Sequence, residues 1–397
     1  MSDVAVVGGG IVGLAIADEL LRVHPDLTVE VHDKEASLAQ HASGRNSGVL
    51  HAGFYYSPDS MKARLTRVGN ALLREFCGER GVPVRDVGKV VVTRNDDEVP
   101  RLLDLHARGV ANGVDVELID ERQLAELEPL ARTHGQALWS PSTGSADPVR
   151  VVEELAARVQ ERGGRVLLGS QVVAGGPGWI STETDGYRPI GHVVNAAGLH
   201  ADRVARWFDV GTEYRMLPFK GLYWYGDWPA GRLQRHVYPV PDPRNPFLGV
   251  HLTVAADGRA KIGPTAIPAA SREAYSGVRG LAAGDLWGIA RTLPRFLTSP
   301  HHDARALVAS EVPKYLHSHL VREAAELVPS VRPEDFRVKG RPGIRAQLFD
   351  TSRNRLEMDF VVRSGPRSTH VLNAVSPGWT TALAMAREIV SSWPDGE

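Results

Sequence analysis

Gly8, Gly10 and Gly13 fall in G-x-G-x-x-G spacing directly after an apolar run at 4–7. A tight turn at Gly8, close approach of a pyrophosphate at Gly10 and close helix–strand packing at Gly13 are what dinucleotide binding requires. The phosphates then meet the free N–H groups and positive dipole end of the following helix. Asp33 stands about twenty residues further on, where a carboxylate accepts hydrogen bonds from ribose hydroxyls. A second stretch, HASGRNSGVLHAG at 41–53, is built of small and polar residues. Ser43, Gly44, Ser47, Gly48 and Gly53 carry little bulk, so this backbone can wind close to a ligand. Arg45, Asn46 and His51 give it functional groups that an ordinary surface loop does not need.

These residues need particular elements to hold them. The run at 4–7 reads as a strand buried on both faces, 11–21 as a helix and 27–32 as a second strand. A helix is expected over 60–81, with Leu65, Val68, Leu72, Leu73 and Phe76 on one face. A strand at 89–93 and a helix at 97–112 follow. Asp120 with Gln123 signals a capping box, and Asp147 with Pro148 opens a helix over 148–162. The stretch 137–147 is rich in strand and turn signals. Residues 166–173 read as one strand, 174–178 (AGGPG) as a loop, and a short strand comes next. A strand at 192–195 leading into Ala196, Ala197 and Gly198 returns the chain to the first sheet. From 207 to 339 the character changes. Tyr223-Trp224-Tyr225 and the proline-rich stretch 239–246 indicate antiparallel strands and tight loops, with helices at 286–297 and 312–327. Strands at 359–362 and 370–373 then precede Ser376-Pro377-Gly378-Trp379-Thr380-Thr381. A terminal helix from there to 391 would point its N-terminus at the ligand.

At 397 residues the chain is long enough for two domains or one large one with a second lobe, and 43% hydrophobic with 23% charged is the composition of a soluble globular protein. Lys plus Arg (46) nearly balances Asp plus Glu (47), so no net field draws nucleic acid or an anionic membrane. A single cysteine, Cys77, excludes an internal disulfide and any multi-cysteine metal site. No metal site is expected. No apolar run reaches membrane-spanning length, and with the first strand starting so early no leader is expected. A cytoplasmic protein is expected, with peripheral membrane contact left open.

Several stretches together resemble the L-2-hydroxyglutarate oxidase/dehydrogenase family of the FAD-dependent D-amino-acid-oxidase-like superfamily, over nearly the whole chain. They are VVGGGIVGLA at 6–15, SGRNSGVLHAGFYY at 43–56, VVNAAGLHAD at 193–202, LPFKGLYW at 217–224, VYPVPDP at 237–243, PFLGVHLT at 246–253, GIRAQ at 343–347 and HVLNAVSPGWTTALA at 370–384. The resemblance implies an α/β fold, α+β taken as a whole. A glutathione-reductase-like FAD-binding Rossmann domain (1–80, 140–206 and 340–397) would carry an inserted, mostly antiparallel β substrate domain (81–139 and 207–339). It implies non-covalent FAD on Gly8, Gly10, Ile11, Val12 and Gly13, with Asp33 and Lys34 at the adenosine ribose. Ser43, Gly44, Arg45, Asn46 and Ser47 would line the cofactor, and Val172 would meet the adenine side. Ala197 and Gly198 would approach the phosphates, and Pro377, Gly378, Trp379 and Thr380 would sit at the flavin pyrimidine edge. Trp224 and Trp379 depart from the family pattern, and either add bulk beside the substrate or are neutral packing.

The implied reaction oxidises a small anionic 2-hydroxy acid to the 2-oxo acid, with oxygen or a quinone as electron acceptor. It needs a base for the hydroxyl proton, a group to hold the carboxylate, and C2–H aimed at the flavin. Histidine suits the first task. His51 is the first choice and His251 the alternative, with the rate expected to rise through an ionisation near the usual histidine value of about 6.5. Arg345 is chosen for the carboxylate, and as a cofactor neighbour, because its guanidinium fork matches a carboxylate bidentately. Lys220 is taken to bind a distal carboxylate or the flavin, and Tyr55, Tyr56 and Tyr238 to hydrogen-bond substrate oxygens. An amine or amino-acid oxidase of the same superfamily, or a flavin-binding protein without turnover, are the alternatives.

Overall fold

The computed structural model describes residues 2–242, 245–276, 280–301 and 303–393. Pro243, the last residue of the VYPVPDP stretch, lies outside them, as do the ends of the chain at Met1 and 394–397. Strand Ser2–Val7 is buried where it meets the turn, as its apolar run predicts. It lies between two parallel neighbours, with Val7 in register with both His32 and Asn195. The chain turns at Gly8, Asp33 and Ala196 therefore emerge together at the carboxyl ends of three adjacent strands, where open α/β sheets bind ligands. Ser368–Asn373 extends this sheet on the far side of Gly186–Asn195. Helices Ile11–Val23, Pro148–Glu161 and Gly378–Ser391 cover one face, and Met61–Glu79 packs on the last of them.

The second large sheet runs in the order Val338–Lys339, Trp224–Tyr225, Ala260–Gly263, His251–Val254, His236–Pro239, Lys89–Val92, Gln136–Ser140 and Glu117–Asp120. Each of its described pairings is antiparallel except that of His236–Pro239 with Lys89–Val92. Helix His317–Leu327 seals a core over it. Between the two large sheets, Tyr214–Gly221 pairs along its length with Gly343–Asp350.

Local signals translate well into caps. Ser60 accepts from the Ala63 N–H at the start of Met61–Glu79, the Asp120–Gln123 capping box is present, and Asp147 caps Pro148–Glu161. Three readings need correction. The strand expected at 166–173 is two strands, Arg165–Leu167 and Val172–Gly176. Between them the N–H groups of Gly169 and Ser170 donate to the carbonyls of Glu35 and Asp33, which pulls the chain out of the sheet. The glycine-rich 174–178 continues that second strand into a hairpin. The Trp179 indole lies across Gly176, where a Cβ would meet its Nε1 at 2.8 Å. The helix expected over 312–327 is split. Val312–Tyr315 is a 3-10 turn containing Pro313, and Ala304–Glu311 is a further helix that periodicity did not reveal.

Candidate active site

The glycine turn is held by groups distant in sequence. Gly8 has φ +111°, and a Cβ there would strike the Ala196 carbonyl oxygen at 2.5 Å. The Asp33 carboxylate accepts from the Gly9 N–H at 2.8 Å and from the Glu35 N–H at 2.9 Å. The Ser43 hydroxyl accepts from the Ile11 N–H at 3.0 Å, which docks the 41–53 segment on the start of the first helix. Asn46 braces that segment from within, donating to the carbonyls of Ala42 and Ser43 and accepting from the Gly48 N–H. Arg45 reaches the Gln40 and Pro342 carbonyls and lies over the Tyr275 ring. Thr380, at the start of the terminal helix, donates to the Val49 carbonyl and accepts from the His51 N–H, both at 3.2 Å. Backbone from three parts of the chain thus fixes where His51 stands.

A cavity of about 800 Å³ follows this frame, toward the upper end of the range for ligand sites. Its wall includes Asp33, Lys34 and Val172. Gly8, Gly10, Ile11, Val12, Ala197 and Gly198 line it too, with Ser43, Arg45, Asn46 and Ser47 from the docked segment. Pro377, Gly378, Trp379 and Thr380 form a further stretch of wall. His51 joins it from the end of the short strand Val49–Leu50, Tyr238 and His251 from the second large sheet with Tyr223 at its edge, and Arg345 from strand Gly343–Asp350. Lys34 is paired with Glu35 and Glu273.

His51 and His251 are both held neutral. Burial, reinforced by the charges of Lys89 and Arg345, pushes His51 well below the ordinary histidine value. Burial likewise brings His251 down to about 3. The His251 Nδ1–H donates to the Gly249 carbonyl at 2.8 Å, which leaves Nε2 as an acceptor. Its ring stacks on Tyr238 at 3.8 Å between centroids. The His51 Nδ1 is buried with no hydrogen-bond partner among the described residues. Among those residues no carboxylate lies within ion-pair distance of Arg345, whose guanidinium rests 4.8 Å over the Phe247 ring. An unpaired cation beside two free bases fits an anionic ligand that also gives up a proton.

Several residues expected at the site stand away from the cavity. Lys220 does not line the cavity, because its Nζ donates to the Ala274 carbonyl at 2.7 Å. Tyr56 lies behind the wall, where burial and a hydrogen bond to Ser376 act on its hydroxyl. Gly13 and Gly44 also lie off the cavity and serve packing. A Cβ at Gly13 would meet the Gly8 carbonyl at 2.0 Å, and one at Gly44 the Ala39 carbonyl at 2.1 Å. Trp224 adds no bulk at the site, since its ring packs on His317 in the core of the other sheet. The cavity-facing aromatic of that run is its neighbour Tyr223, which strand alternation sends the other way. Its hydroxyl is pushed up to about 12 by burial. Lys89 and His236, buried behind Tyr238 and His251, were also missed. The only signal was a lysine heading the apolar strand KVVV.

A family model described as FAD-dependent oxidoreductase (DAO) matches residues 3–392. The chain belongs to this family. Its cofactor is FAD, and the turn fits it. A Cβ at Gly10 would lie 2.9 Å from the Ser43 hydroxyl, and the wall holds buried polar atoms, His51 Nδ1 and Trp379 Nε1, that lack protein partners among the described residues. Among this oxidoreductase's relatives is the mitochondrial L-2-hydroxyglutarate dehydrogenase of Caenorhabditis elegans, 36% identical across 98% of this chain and 92% of its own. Another is the L-2-hydroxyglutarate dehydrogenase of Escherichia coli K12, 32% identical across 98% and 93%. In fold, the chain resembles the FAD-bound L-alpha-glycerophosphate oxidase of Mycoplasma pneumoniae, with a TM-score of 0.79, 24% identity, and 99% and 97% of the two chains covered. The cytoplasmic placement expected from sequence is overturned, since the C. elegans relative is a mitochondrial protein. Among the described residues no helix is long and apolar enough to cross a membrane.

Proposed function

We propose that this oxidoreductase converts a small 2-hydroxy acid, L-2-hydroxyglutarate or a close analogue, into its 2-oxo acid. The observation that carries the reading is the convergence of an unpaired Arg345 with neutral His51 and His251 in one cavity. FAD, when bound, supplies the two-electron acceptor for the hydrogen on C2. His51 takes the hydroxyl proton, since a neutral imidazole with a free ring nitrogen is the base such a step needs. Arg345 holds the C1 carboxylate with two parallel N–H donors. His251 Nε2 and the Tyr238 and Tyr223 hydroxyls complete the polar wall around the substrate. Residues 1–80, 140–206 and 340–397 serve the cofactor, with Gly8 to Val12 at the pyrophosphate and Asp33 at the ribose. Residues 81–139 and 207–339 supply most of the substrate wall, and oxygen or a quinone removes the electrons.

Anaerobic bleaching of the yellow protein by a panel of 2-hydroxy acids and amino acids tests this directly. L-2-Hydroxyglutarate should reduce the flavin fully, while amino acids of the same length should leave it oxidised. Bleaching by an amino acid alone would assign the site to amine oxidation, which needs no base. Denaturation should release free FAD, because Cys77 is buried in helix Met61–Glu79 off the cavity and both ring nitrogens of His41 on its wall are engaged by Tyr275 and Glu35. Gly10→Val should give colourless protein, as a branched side chain there displaces Ser43 and fills the path of the pyrophosphate. Flavin absorbance per mole of purified protein reads out both results.

A further inference from the structure

Lys89 has no part in the reaction just described, yet its setting is unusual. It is 0% exposed, and its Nζ has no hydrogen-bond partner among the described residues. Instead the ammonium position is ringed by aromatic faces, with Tyr238 at 4.0 Å, Tyr55 at 5.0 Å and Phe54 at 5.5 Å from Nζ to centroid. No carboxylate lies within ion-pair distance of it among the described residues. The rings offset part of the cost of a buried charge, and burial alone brings the amine down to about 7.

The sheet explains why Lys89 reaches the histidines. It is in register with His236 on the parallel neighbouring strand, and Tyr238 follows two residues later on the same face. Tyr238 carries His251 on its other side. The His236 Nδ1 accepts from the Val254 N–H at 3.1 Å, so its Nε2 bears the proton. From the 41–56 region, His51 and Tyr55 complete the group. Lys261 and Arg345 are the other cations whose charge acts on these histidines. Lys89 stands behind the cavity wall, in contact with the Tyr238 ring that forms part of it.

We propose that Lys89 is a positioning residue whose charge sets the proton affinity of the histidines behind and along the cavity wall, and that its ionisation gates substrate oxidation. This deepens the reading of His51 as base and rests on it. A charged Lys89 repels a proton arriving on His51, so the hydroxyl proton of the substrate transfers at a higher cost. With the amine neutral, that repulsion is gone. No bond to Lys89 forms or breaks. The proton leaves the substrate oxygen for His51, and Lys89 acts through its charge.

Lys89→Met and Lys89→Gln fix a neutral residue, while Lys89→Arg fixes a charge. In the wild type, anaerobic flavin reduction should rise with pH through one step near 7. The two plateaus should differ by up to about tenfold for each unit by which the charge lowers His51, the full factor holding only if the proton has wholly moved in the transition state. Both neutral variants should lose the step, and Lys89→Arg should be flat at a lower rate, with flavin content unchanged in all three. Melting provides a readout independent of turnover. Between about 7 in the fold and about 10.4 in the unfolded chain, the unfolded state binds the extra proton. Wild-type stability should therefore rise with pH across that window relative to Lys89→Met. A neutral variant that keeps the step, or that melts in parallel with the wild type from pH 7 to 10, overturns the proposal. If no hydroxy acid bleaches the wild-type flavin, the substrate reading fails, and the melting comparison still decides whether Lys89 ionises in the fold.

Discussion

His51→Ala will slow anaerobic flavin reduction by about 10²- to 10⁴-fold, the usual worth of a positioned general base, while FAD stays bound. As hydride leaves C2, the hydroxyl proton must leave too, or the product is a protonated carbonyl of high energy. His51 is placed for this by contacts to its backbone. Its N–H is held by Thr380 and its carbonyl by Asn70, at 3.2 and 3.0 Å. Alanine keeps both contacts, so the loss reports on the imidazole and not on the loop. The pH dependence differs from the ordinary histidine value. Burial and the nearby cations hold the folded His51 well below 6.5, so it is already neutral throughout the neutral range. Its own loss of activity should come only in acid, as it becomes protonated. A step near 7 in the wild type therefore belongs to Lys89. Stopped-flow bleaching by excess substrate measures the rate before any reoxidation, and a wild-type rate in His51→Ala would move the base to His251.

Arg345→Met should lower kcat/KM for a 2-hydroxy acid by about 30- to 4,000-fold, the equivalent of roughly 2–5 kcal/mol for removing one partner of a buried charge pair. The estimate rests on the absence of a competing acid: among the described residues, no protein carboxylate pairs with this guanidinium, so the substrate supplies the first. Arg345→Lys should lie between, with KM raised more than kcat is lowered, because charge remains but the planar fork is lost. The methyl ester of the substrate should be poor with the wild type and no worse with Arg345→Met. Removing a cation that has no protein partner leaves no orphaned carboxylate behind. The melting temperature of the cofactor-free Arg345→Met protein should therefore not fall. A large drop would assign Arg345 a structural role, and full activity on the ester would take it away from the C1 carboxylate.

The parts of the site that were legible beforehand are those in which chemistry and backbone requirement coincide. Gly8 and Gly10 were readable because the turn and the phosphate path tolerate no side chain, and Asp147–Pro148 because a cap and a fixed φ suit a helix start. His51 stood out because an imidazole in a run of small residues has no packing role. Lys220 was misread. Its motif runs beside the site, but the side chain turns to a carbonyl on a loop more than fifty residues away in sequence. Trp224 was misread for a similar reason. Which face of a strand looks inward depends on what packs there, and His317 claims the indole.

The amino-acid sequence by itself determined the family, the nucleotide-binding turn, the cofactor and the residue types of an acid-binding redox site. Each of these rests on local spacing or on a motif carried whole in a short segment. Only the tertiary structure decided which of those residues meet. Gly8, Asp33 and Ala196 share one edge because three strands pair in parallel with Val7 level with His32 and Asn195. Lys89, His236 and Tyr238 share one face because two strands from distant segments lie in register. The charge states were decided at the same level. A histidine or lysine carries its ordinary proton affinity until packing removes the water around it, and water is removed by neighbours that the chain brings together only in folding.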